Sequence, residues 1–134
     1  MNLPLRVFAL AMIFTSARLA ADGAPLISVV GRHAPAAGVE VEVSDVGGGL
    51  LNYRATFQQK RTAAPQVAAI RKDAPWFIYA ESAAELWVWD GVGSLVRIQF
   101  TDAGIRFTDN HVAPDLLLAA PWAIRVHLPG GLDR

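Results

Sequence analysis

The sequence predicts an all-β fold. It reads as a mainly antiparallel meander of seven to eight short strands, a small sandwich or barrel, with a short C-terminal helical segment packed on the sheet. Three observations carry this. Two alternating runs flank Gly47-Gly48-Gly49. The stretch from Trp76 to Phe100 holds three of the four tryptophans and reads as three strands in a row. After Pro114 the strand period gives way to two short apolar turns, each opened by a proline.

The bounds come first. The chain has 134 residues, room for one domain, expected over residues 24–134. Basic and acidic side chains number twelve each, for a formal net charge of zero. That balance offers no electrostatic footprint for nucleic acid or an anionic membrane surface. Apolar residues make up 53% and charged residues 18%, a composition that supports a packed core and argues against disorder. The absence of cysteine excludes thiol catalysis, disulfide exchange, iron–sulfur clusters and cysteine-ligated zinc.

Residues 1–23 differ from the rest. One basic side chain, Arg6, precedes the uncharged apolar run VFALAMIF, and small residues follow. This is the layout of a secretory signal peptide, with cleavage after Ala21 or Gly23. The apolar run is too short for a membrane-spanning helix, which takes about 20 residues, so no transmembrane anchor is expected in the mature chain. The expected location is periplasmic or extracellular. Loss of Arg6 and Arg18 with the leader takes the twelve basic side chains to ten, against twelve acidic. An exported domain without disulfides relies on its apolar core, and about 110 residues suffice for one.

In chain order, LISVV (residues 26–30) is a first strand, and GRHAPAAG (31–38) is a loop by composition. VEVEVSD (39–45) then alternates, with Val39, Val41 and Val43 on one face and Glu40, Glu42 and Ser44 on the other. Residues 51–57 alternate again, placing Leu51, Tyr53, Ala55 and Phe57 inward and Asn52, Arg54 and Thr56 outward. Two matched alternations about a glycine turn predict a β-hairpin, with Arg54 on the same wet face as Glu40 and Glu42. QQKRTAAP (58–65) is a polar connection, and residues 66–72 read as a short strand. If they form a hairpin with that connection, Lys60, Arg61, Arg71 and Lys72 cluster at one end, usually as a solvated rim.

The tryptophan-rich block is apolar on both faces in its first two strands. Trp76, Ile78 and Ala80 oppose Phe77 and Tyr79, and Trp87 and Trp89 oppose Leu86 and Val88. Its third strand is amphipathic, with Val96, Ile98 and Phe100 opposite Arg97, Gln99 and Thr101. TDAG is a turn into IRFT (105–108), one more strand. PDLLLAA (114–120) has proline at a first helical position and an acid in the first turn. PWAIRVHL (121–128) restarts on another proline, which stops the preceding helix. Leu117, Leu118, Trp122, Val126 and Leu128 need a surface to pack on.

WVWDG is similar to the strand-and-turn pieces of β-propeller blades, over five unrepeated residues. A small closed barrel with a C-terminal helix would be similar in outline to the calycins. Neither likeness carries fingerprint residues, so neither implies a function.

Candidate chemistry is sparse. His33, His111 and His127 have no ligand spacing, so no metal site is expected, and no motif implies a cofactor. No serine stands in a nucleophile elbow. Asp90, Asp102, Asp109 and Asp115 fall at strand ends and turns, where aspartate bonds nearby amides. The informative pair is Trp87 and Trp89, two residues apart on one strand face and about 7 Å from each other. Exposed, they form a platform, with Tyr79 and Arg97 beside them, for a carbohydrate, a peptide or a protein. Buried, they form the seat on which the apolar C-terminal segment lies, which the pattern favours.

The expected function is therefore an exported, non-enzymatic binding or interaction module with no catalytic residues assigned. Two alternatives remain: a small carbohydrate-active or hydrolytic enzyme using Asp90 or Asp102 near the tryptophans, and an assembly subunit that pairs through an edge strand.

Overall fold

The computed structural model describes residues 24–58, 60–61 and 70–128. The leader expected over residues 1–23 lies outside them, as do residues 66–69 of the short strand expected over 66–72. Among the described residues, ten strands form two antiparallel sheets, followed by two helical turns. The strands are β1 (Leu26–Ile27), β2 (Gly31–Ala36), β3 (Val39–Gly47), β4 (Leu50–Phe57), β5 (Lys60–Arg61), β6 (Ile70–Arg71), β7 (Phe77–Ser82), β8 (Glu85–Trp89), β9 (Leu95–Thr101) and β10 (Gly104–Asp109). The turns are α1 (Leu116–Ala119) and α2 (Trp122–Arg125). One sheet has the order β1-β7-β8-β9-β10, and the other β2-β3-β4-β5 with β6 also on β4. The two are separate sheets, so the sandwich alternative holds and the closed, calycin-like barrel does not. Among the described residues no helix is long and apolar enough to cross a membrane.

Alternation decides how the sheets meet. Val39, Val41 and Val43 of β3 and Leu51, Tyr53, Ala55 and Phe57 of β4 are all buried. They pack against Trp76, Ile78, Ala80, Leu86, Val88, Val96 and Ile98 from the tryptophan-rich sheet. The β3–β4 turn is Gly48-Gly49, at φ +67° and +77°. Positive φ at both central residues is what a type I′ hairpin turn demands, and its twist matches the strands it joins.

The opposite face of the tryptophan-rich sheet forms a second core. Phe77, Trp87, Trp89 and Leu95 are buried there with Leu116, Ala120, Ile124 and Leu128. The molecule is thus three layers: hairpin sheet, tryptophan sheet and C-terminal cap. The doubly apolar strands β7 and β8 are the middle layer, covered on both sides.

Several expectations are corrected. Residues 31–38 are not a loop: β2 runs antiparallel to β3, with a register break between His33 and Ala36 at buried Pro35. Proline is tolerated because β2 is an edge strand. The first strand is only two residues long, its remainder bending away before β2. Lys60-Arg61 and Arg71-Lys72 do not cluster. β5 joins β4 at Thr56–Phe57 and β6 joins it at Leu50–Leu51, so the four positions lie at opposite ends of one strand. The helices also start later than expected. Asp115 is the N-cap residue of α1 and Pro121 that of α2, so neither proline takes the first helical position.

Candidate functional site

Three of the four candidate binding residues form one row across the tryptophan sheet. Tyr79 on β7 is opposite Trp87 on β8, which is opposite Arg97 on β9. Trp89 belongs to the neighbouring row, Phe77–Trp89–Leu95. All point to the face that carries the cap. Trp87 is 1% exposed and Trp89 3%, so neither indole presents a platform to solvent. The reason is mutual burial: α1 and α2 have an inward apolar set, and the indoles are the surface it covers. Tyr79 is half-buried at the margin of the same cluster.

Beyond the cap the face turns polar. The Trp87 indole N–H donates to Glu85 Oε2 at 2.8 Å. Arg97 Nη2 donates to Glu85 Oε1 at 2.9 Å. The Arg97 guanidinium carbon also lies 5.4 Å from the Trp87 ring centroid, in reach of a cation–π contact. Glu85 and Arg97 are only partly exposed, so this pair is better shielded than the ion pairs elsewhere. The cluster engages both Glu85 oxygens and one Arg97 nitrogen, while Arg97 Nε is buried without a hydrogen-bond partner among the described residues. This arrangement fixes the Trp87 indole across β8 and β9.

The turn carboxylates are also engaged. Asp90 Oδ1 accepts the backbone N–H groups of Val92, Gly93 and Ser94 at 2.8, 2.9 and 2.9 Å. Asp109 Oδ1 accepts those of His111 and Val112 at 2.8 and 3.0 Å. Asp90 precedes β9 and Asp102 follows it, so that strand separates them by about 20 Å. They do not form an acid pair.

One juxtaposition was not legible in the sequence. His111 Nε2 lies 3.2 Å from Ser94 Oγ, although the two are 17 residues apart, because β9 and β10 return the chain to the same end of the sheet. A serine activated by histidine uses such a distance. Here the neighbouring amide donors are consumed: Gly93 and Ser94 by Asp90, and Leu95 by Asn110 Oδ1 at 3.1 Å. Asn110 Nδ2 also donates to the Gly93 carbonyl at 2.9 Å. The cluster pins the β8–β9 loop to the loop that leads into the cap. The other histidines are dispersed: His33 Nε2 lies 2.9 Å from the Val29 carbonyl, and His127 meets Phe77 edge-on with centroids 6.0 Å apart. Among the described residues no group of three metal-ligating side chains converges.

Two solvent-facing surfaces remain. The outer face of the hairpin sheet holds a depression of about 430 Å³ lined by Arg32, Glu40, Glu42, Arg54 and Thr56. Its charges alternate across the strands, and Arg32 already pairs with Glu42 at 3.1 Å. The second surface is the outside of the cap. Leu116, Ala120, Ile124 and Leu128, four residues apart, turn inward. Leu118, Trp122 and Val126, also four apart and offset by two, are 61%, 68% and 55% exposed. The cap is therefore apolar on both sides and covered on one.

No protein-family model, curated protein or solved structure matches the chain.

Proposed function

We infer that the protein is a small exported interaction module, without a catalytic role, that engages a protein partner through the outside of its C-terminal cap. The observation that carries this reading is Trp122, 68% exposed between Leu118 and Val126. Single exposed apolar side chains are ordinary, but Leu118, Trp122 and Val126 are three large ones exposed on one short segment. Tryptophan is also the residue type most enriched where binding energy concentrates. The partner's chemistry follows from these exposed groups: an apolar protein surface with a recess for the Trp122 indole. The chain's zero net charge gives no pull toward nucleic acid or an anionic membrane.

The buried Trp87 and Trp89 leave little support for a carbohydrate platform. The separation of Asp90 and Asp102 leaves little for a paired-carboxylate hydrolase.

The test is a photoreactive benzophenone amino acid at position 122 of the full chain, irradiated in the producing cell, with position 40 on the hairpin sheet as control. A discrete adduct with another protein at 122, absent at 40, is the expected result. No adduct at 122, or the same adduct at both positions, contradicts the reading.

A further inference from the structure

We propose that β10 pairs antiparallel with β10 of a second copy, joining two tryptophan sheets into one continuous sheet. This stands independently of the cap and uses a different surface.

Among the described residues, β10 is bonded to β9 on one side and to no strand on the other. The other sheet margins are short or broken. β1, β5 and β6 are two residues each, and β2 carries Pro35 and a register break. β10 keeps six residues in unbroken register with β9, with no proline, lysine or bulge. Proteins commonly blunt sheet edges with such features or with charged side chains, and a six-residue edge whose charges are Arg106 and Asp109 alone remains a template for another strand.

The backbone pattern fixes which groups are open. Asn110 N–H donates to the Leu95 carbonyl at 3.1 Å. In an antiparallel ladder, bonded pairs alternate with non-bonded ones. Counting back by twos, Thr108, Arg106 and Gly104 bond to β9, while Ile105, Phe107 and Asp109 aim their amides at the open side. The Asp109 carbonyl accepts from Ala113, which leaves Ile105 and Phe107 as the fully open pair among the described residues. Their side chains pack against the inter-sheet core yet are only partly buried.

A symmetric pairing must match outward-aiming residues, which leaves few registers. One centred on Arg106 sets it opposite its own copy, and like charges directly opposite are destabilising. One centred on Ile105 places Phe107 against the β9–β10 turn. Centring on Phe107 sets Arg106 opposite Thr108 of the second copy and brings the two Phe107 rings side by side on the core face. Each partly buried ring then covers the other, so this register is the one the side chains favour.

The chain has no cysteine, so disulfide mapping is clean. Residues directly opposite in a non-bonded antiparallel pair have Cα atoms about 4.5 Å apart, within disulfide range. Arg106→Cys and Thr108→Cys are made separately in the full chain, then oxidised alone and as an equimolar mixture. The expected result is a covalent dimer abundant in the mixture and scarce in either variant alone. The unmodified protein is expected to gain mass with concentration in sedimentation experiments. Arg106→Cys cross-linking to itself as readily as the mixture would overturn the register. A strict monomer at every concentration, with no cross-link in the mixture, would overturn the pairing itself.

Discussion

The Glu85 carboxylate holds Trp87 and Arg97 at once, with one oxygen 2.8 Å from the indole nitrogen and the other 2.9 Å from the guanidinium. Glu85 and Trp87 share a face of β8, and Arg97 reaches them from β9. Glu85→Ala leaves a buried indole N–H without an acceptor and a shielded guanidinium without its anion. The expected loss is about 2–3 kcal/mol in chemical denaturation. Glu85→Gln keeps an acceptor for the indole, so its loss should be about half as large. Equal losses in the two variants would show that the charge, not the hydrogen bond to Trp87, holds the cluster.

Tyr53 offers a pH test. It is buried between the sheets and its hydroxyl has no hydrogen-bond partner among the described residues. Burial pushes the phenol well above its ordinary value of 10.0. The native state therefore keeps a proton that the unfolded chain loses above that value. This contribution to stability is complete below about pH 10 and is lost as pH rises beyond it. Tyr53→Phe removes the unpaired hydroxyl and should stabilise by about 1 kcal/mol at neutral pH. The advantage should widen in melts above pH 10, and a constant difference across that range would contradict the assignment.

Gly91 is constrained by both conformation and space. Its φ is +84°, and a Cβ built there would lie 2.7 Å from Ala74 Cβ and 2.9 Å from Pro75 N. The obstruction includes backbone, which yields less readily than a flexible side chain. Gly91→Ala should cost about 2–4 kcal/mol from the left-handed conformation and the clash together. A loss under 1 kcal/mol in urea denaturation would mean that the β8–β9 loop moves freely from the 74–75 connection.

Asp90 separates a turn role from an acid role. Its Oδ1 gathers three amides, and asparagine supplies an equivalent oxygen. Asp90→Asn should stay within about 1 kcal/mol of the unmodified protein, and Asp90→Ala should lose about 2 kcal/mol. Comparable destabilisation by both would assign the effect to the charge.

The two cores were legible because alternation encodes the face of a strand. Val39, Val41 and Val43 against Glu40 and Glu42 left little choice of orientation, and all three valines are buried. The apolar second face of β7 and β8 called for a cover, which α1 and α2 provide. β2 was hidden because glycine and proline in GRHAPA read as loop, and its pairing with β3 overrides composition. β5 is too short for any period to register, whereas β6 falls within the short strand expected over residues 66–72.

Leu118, Trp122 and Val126 were expected to pack on the sheet and are instead exposed. The sets 116, 120, 124, 128 and 118, 122, 126 have the same spacing and both are mainly apolar, so periodicity alone could not say which faces the sheet. The pairing of Ser94 with His111 depends on the β9–β10 return, which places residues 17 apart at one end of the sheet.

The central claim is that the cap buries Trp87 and Trp89 and turns Trp122 outward. Fluorescence quenching by iodide, comparing the unmodified protein with Trp122→Phe, tests this most directly. A quenchable component is expected in the unmodified protein. Trp122→Phe should give blue-shifted emission that iodide hardly reaches. Quenching that survives unchanged in Trp122→Phe would place the accessible indole elsewhere and contradict the account.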